Sequence, residues 1–145
     1  MVMNRIQFQP GLSLPAFHAQ FGTDGQCADA LEASRWPECG DADCYLLKGG
    51  KHKIFQCKRC RLQTSLIAGT LFQSTHLALT IWFLAIYLVS QAKTGLLALD
   101  LKRQLGVSYP TAWRVQQKLM QAMIERDAQY ALSGDIQVDD AYLGG

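Results

Sequence analysis

At 145 residues and a net charge of only +2, the chain can bury one modest core, and its totals show no bias toward a charged partner. Five cysteines, an odd number, and the lack of any secretion-like start in "MVMNRIQFQPGLSLPAF" speak against a disulfide framework and for metal binding or plain burial in a cytoplasmic protein. The most apolar run, the thirteen residues Leu77 to Val89, is shorter than the roughly 20 a bilayer requires, so no membrane is expected as a partner.

The even total hides a segregation. Residues 1–45 net −4, residues 46–118 set eleven Lys and Arg against the single Asp100 for +10, and residues 119–145 net −4. A strongly basic middle suits a polyanion, because its cations attract phosphates and release their counterions. On charge alone a solvated basic face is an equal alternative.

In chain order, residues 23–34 ("TDGQCADALEAS") predict a short helix, with Thr23 as N-cap and Gln26 at the capping-box position. Cys27 and Leu31 share one face of it, which makes Cys27 a core residue rather than a ligand. Residues 45–48 and 53–56 predict two short strands joined by "GGKH", whose glycines suit a hairpin turn.

Cys57 and Cys60 follow as a C-x2-C knuckle, half of a zinc-ribbon pattern in which thiolates supply the tetrahedral bonds. Cys39 precedes Cys57 with 17 residues between them, where a second ligand of the other knuckle belongs, but the position for the first is Trp36. Cys44 can substitute, giving a Zn2+ site of Cys39, Cys44, Cys57 and Cys60. Cys27 or His52 is a further substitute, and a lost site with Cys44 as a free thiol is the other alternative.

The apolar run predicts a buried helix at 78–91. Two amphipathic helices follow at 96–104 and 109–130, around "LGVS". Leu97, Leu101 and Leu105 form the apolar stripe of the first, with Lys102 and Arg103 facing elsewhere. Ser108 is placed to cap the second, Pro110 fits its first turn, and Ala112, Val115, Leu119 and Met123 form its buried stripe. Thr111, Arg114, Lys118 and Gln121 fall on the opposite face, an alcohol, two cations and an amide of the kind that bond phosphates and base edges. On the pattern alone a helical hairpin with an ordinary polar surface is the commoner reading; the surrounding +10 segment reverses this in favour of a helix-turn-helix on double-stranded DNA. Lys58, Arg59 and Arg61 around the knuckle would support it.

The last element, a strand at 135–143 in "GDIQVDDAYLGG", points Asp139 and Asp140 to opposite faces. At most one of them can serve a two-metal centre, and a surface strand with solvated aspartates is the simpler reading of the strand alone.

In order, the capped helix, the cysteine knuckles, "TSLIAGTLF", "LTIWFLAIYLVSQAKTG", "LKRQLGVSYPTAWRVQQKLM" and "VDDAYLGG" resemble the N-terminal part of an insertion-sequence transposase. The group is the ISXO-like one, which joins a zinc ribbon to a DDE-type catalytic domain. The resemblance implies that ribbon and helix-turn-helix grip the element's terminal inverted repeats, in a transposition complex of several copies at the nucleoid. It also implies that Asp139 matches the first catalytic aspartate, on the first strand of an RNase H-like fold, where acidic residues hold Mg2+ for phosphodiester attack. Two departures stand out. "RWPECG" looks like an "RWP" fused to the first knuckle by a deletion, and the second and third catalytic acids are missing, so no cutting is expected of this chain.

The expected fold is therefore α+β and mostly α: an N-terminal helical segment (1–35), a zinc-ribbon-like module (36–72), a helical DNA-binding region (73–132, with the helix-turn-helix at 96–124) and the start of a truncated RNase H-like domain (133–145). A stand-alone zinc-ribbon regulator and a non-functional transposase remnant are the competing readings.

Overall fold

The computed structural model of the chain describes residues 11–35, 44–47, 50–58, 60–92, 95–129 and 131. The expected strand at 135–143, with Asp139, lies outside the described residues, as do Cys39 and Arg59. The described residues form five helices and one small antiparallel sheet, a mostly helical α+β arrangement.

Helix α1 (Leu14–Phe21), which the sequence pattern does not announce, starts at Ser13, whose hydroxyl accepts from the Ala16 amide at 3.3 Å. Helix α2 (Asp24–Arg35) begins with the expected reciprocal capping box. The Gln26 amide donates to Thr23 Oγ1 at 3.3 Å, and the Thr23 amide donates to Gln26 Oε1 at 3.1 Å. Gln26 Nε2 also donates to the Ala19 carbonyl at 3.0 Å, which stitches α2 to α1. Cys27 is fully buried and its thiol donates to the Phe21 carbonyl at 3.4 Å. Burial, then the Asp24 carboxylate, raises the pKa of this thiol, so Cys27 is a packed core residue as expected.

Strands β1 (Cys44–Leu47) and β2 (Ile54–Cys57) pair antiparallel, each within one residue of its expected span. Gly50, with a φ of 88°, supplies the left-handed conformation in the connection. A third strand, β3 (Gln63–Ser65), pairs with β2. Its short polar sequence gives no period-two signal, because it is ordered by the ladder rather than by a buried face.

Lys53 ties the sheet to α2: its ammonium lies 2.7 Å from Asp29 Oδ1 and 2.8 Å from Glu32 Oε2. The bonds to Asp29 and then Glu32 raise the Lys53 pKa against the opposing effect of burial. A raised pKa in the folded state means stabilisation that is complete below the ordinary lysine range and lost as pH climbs through the folded value. Lys53→Met is therefore expected to cost about 0.5–1 kcal/mol between pH 7 and 9 in urea denaturation, since these groups are partly exposed. The difference from wild type should vanish in strongly alkaline buffer.

Between β3 and helix α3 (Leu79–Gln91) the chain runs through successive turns, with Ile67 and Phe72 buried and Ser74 left-handed at a φ of 59°. Helix α3 is the expected buried helix, with Leu79, Trp82 and Ala85 directed into the core. Its first turn is held by a distant acid, for the Thr80 amide donates to Asp24 Oδ1 at 3.2 Å. Tyr87 near its end donates to the Leu12 carbonyl at 2.7 Å. No described helix is long and apolar enough to cross a membrane.

Helices α4 (Ala98–Leu105) and α5 (Tyr109–Asp127) complete the core. Two expectations about their stripes need correction. Leu97 is 71% exposed, because it is the extended residue preceding α4, and Ala98 takes the buried position instead. Met123 is 50% exposed, because the 19-residue α5 outruns the 8-residue α4, and its buried stripe ends at Leu119. One cluster joins Cys27 of α2, Ile67 and Phe72 of the turns, Trp82 of α3, Leu101 and Leu105 of α4, and Val115 and Leu119 of α5.

Candidate nucleic-acid interface

The turn between α4 and α5 follows from three residues. Gly106 closes α4 in the left-handed conformation, φ 67°, with its amide on the Lys102 carbonyl at 3.0 Å. Ser108 is extended and its carbonyl accepts from the Ala112 amide at 3.0 Å, so it holds the N-cap position. Its hydroxyl makes no capping bond; it pairs with Thr111 Oγ1 at 2.8 Å. Pro110, second in α5, lacks an amide that would have no helical partner. Gln116 Nε2 reaches back to the Leu96 carbonyl at 2.6 Å and fixes α5 against the start of α4.

With Ala112, Val115 and Leu119 in the core, α5 turns Arg114, Lys118 and Gln121 outward and leaves Thr111 half-buried. Thr111, Arg114 and Lys118 line one cleft of about 330 Å³, whose other wall is the turn from Ser74 to Leu77. Trp82, 3% exposed, lies beneath it, with the Lys118 ammonium 5.8 Å from its ring centroid. No acidic side chain lines this cleft among the described residues. Further along α5 the basic character ends, where Gln121 donates to Glu125 at 2.8 Å.

The other basic residues lie apart from the cleft. Lys102 and Arg103 are exposed on the last turn of α4, where their charges complement the negative end of the helix. Lys58 and Arg61 sit at the turn after β2, Lys58 with its ammonium 5.1 Å from the Tyr45 ring centroid and Arg61 left-handed at a φ of 58°.

The cysteines are brought together only in part. Cys44 and Cys57 face each other across the β1–β2 ladder, and the Arg61 amide closes the knuckle on the Cys57 carbonyl at 3.0 Å. Cys60 is exposed on that turn. Thiols opposed on a hairpin suit a soft cation such as zinc, yet no three metal-binding side chains converge among the described residues. His52 is half-buried beside Lys51 and Lys53 in a different cleft, near Asp24 and Leu79.

Sequence reasoning missed the wall formed by Ser74, Thr75 and His76. The available signal was "QSTH", a polar run that breaks the apolar sequence just before α3.

No family model matches the chain, and no solved structure matches it. The chain is 29% identical over 133 residues to an uncharacterized protein in the transposable element ISH50 of Halobacterium salinarum, a match that takes in 85% of this chain and 43% of that protein. The chain is thus related to an insertion-element protein and spans less than half of that relative's length.

Proposed function

We propose that the chain is the DNA-recognition part of an insertion-element transposase, with α4, the Gly106 turn and α5 acting as a helix-turn-helix on the element's terminal inverted repeats. The reading is supported above all by one observation: α5 carries Arg114 and Lys118 outward along one cleft that no acidic side chain lines among the described residues. Neither forms an ion pair within the described residues. Cations without a carboxylate partner among the described residues suit a polyanion, and the N-terminal half of α5 is the part that a recognition helix sets against base edges. Kinship with a transposable-element protein supports the choice of duplex DNA as that polyanion.

Two metal roles belong to the same reading. Cys39, Cys44, Cys57 and Cys60 would hold a structural Zn2+ that fastens the β1–β2 hairpin, with Lys58, Arg59 and Arg61 beside it toward the DNA backbone. Asp139 would be the first Mg2+ ligand of an RNase H-like catalytic domain, whose metal supplies Lewis-acid chemistry at a phosphodiester.

The test is a mobility-shift titration of the protein with duplexes carrying the element's own ends and with shuffled duplexes. We expect preference for the ends of at least tenfold, and a log–log salt slope steep enough to count several phosphate contacts. Equal, salt-insensitive or absent binding would refute the reading.

A further inference from the structure

We infer that the cleft between the Ser74–Leu77 turn and α5 is a phosphate clamp that grips the DNA backbone from the wall opposite α5; the inference rests on the reading of α5 as a DNA-contacting helix. Thr75 Oγ1 already accepts two hydrogen bonds, from Trp82 Nε1 at 2.8 Å and from the Leu77 amide at 3.2 Å. With both lone pairs used, its hydroxyl proton is the one group left to offer, and it has no acceptor among the described residues. The amides of Ser74 and His76 likewise have no acceptor among the described residues. Thr75 between them donates its amide to the Phe72 carbonyl at 3.1 Å.

Ser74 stands in a left-handed conformation that costs a non-glycine residue free energy. Backbone amides gathered at a turn with a left-handed residue form a concavity for anions. Lys118, held over the Trp82 ring, supplies the cation. Residues with unpaired donors line one wall, Lys118 lines the other, and no carboxylate lines the cleft among the described residues, a set that suits a tetrahedral oxyanion. Arg114, one helical turn nearer the start of α5, remains available to a base edge.

Ser74→Asp tests the clamp, because aspartate tolerates the left-handed region while placing a carboxylate in the cleft that Lys118 lines. Ser74→Asn is the neutral counterpart, and Gln20→Glu on α1 makes the same charge change away from the cleft. For the element's ends, Ser74→Asp is expected to weaken binding about tenfold or more and to lower the salt slope by about one, with both other variants within about twofold of wild type. Equal weakening by Ser74→Asp and Gln20→Glu, with wild-type binding intact, overturns the clamp and leaves the DNA reading standing.

A second measurement does not depend on the folding of any Ser74 variant. Of the three tryptophans, Trp36 and Trp113 are replaced by phenylalanine so that Trp82 alone reports. Saturable change of its emission with duplex DNA, and none with millimolar inorganic phosphate, is the expected result. Response to inorganic phosphate without response to DNA would make this a free-phosphate site and overturn the nucleic-acid assignment. Silence toward both would overturn the clamp altogether.

Discussion

Arg114→Ala is expected to weaken binding to the element's own ends by roughly 5- to 150-fold, the equivalent of about 1–3 kcal/mol for one lost bidentate base contact. Binding to shuffled duplex should fall much less. Arg114 is exposed on α5 and outside the buried stripe, so the thermal midpoint should stay within the shift of about ±0.5 kcal/mol typical of surface substitutions. Lys118→Ala should behave differently, weakening both duplexes alike, since an ammonium serves a phosphate and carries no sequence information. Two cations one turn apart would then divide the work of the helix, one for position and one for sequence. Equal losses on both duplexes with Arg114→Ala would make Arg114 a second backbone contact.

Leu101→Ala should act on the fold itself. Leu101 is 0% exposed and belongs to the cluster shared by α3, α4 and α5. Deleting a fully buried leucine removes its transfer free energy and leaves a cavity, at a cost of about 2–5 kcal/mol. Against a total of about 5–15 kcal/mol for a small domain, that is a large share. Urea denaturation should show the loss as a lower midpoint with an unchanged slope. DNA affinity of the fraction that remains folded should be near wild type, since Leu101 does not line the basic cleft. A Leu101→Ala protein as stable as wild type would mean that α4 does not pack as described.

The helices were legible where one signal repeated itself. The capping box at Thr23 and Gln26, the apolar run before Gln91 and the spacing of Ala112, Val115 and Leu119 each state a helix and its inner face twice over. The errors fell at ends, where the period continues but the packing partner does not. Leu97 and Met123 extend the stripes correctly in sequence and find no neighbour helix to cover them among the described residues. Strand β3 was invisible because three polar residues ordered by a ladder carry no pattern of their own. Half of the basic cleft was legible: Thr111, Arg114 and Lys118 follow from helical spacing. The facing wall was not, because turns and unpaired amides depend on backbone geometry that residue type barely constrains. Of the cysteines, the register shows that Cys44 stands opposite Cys57, a pairing that the C-x2-C spacing alone does not state.

The bonds that hold helix α3 differ in chain span from those that join α4 to α5. Helices α4 and α5 are adjacent in the chain and joined by a tight turn, so their packing needs little loop closure and can form early. The bonds from Thr80 to Asp24 and from Tyr87 to Leu12 close spans of 56 and 75 residues. Spans of that length carry a larger loop-closure entropy than a tight turn does. The α4–α5 pair is thus held by bonds local in the chain, while helix α3, whose Trp82 lies beneath the cleft, is tied across much longer spans to residues near the start of the chain.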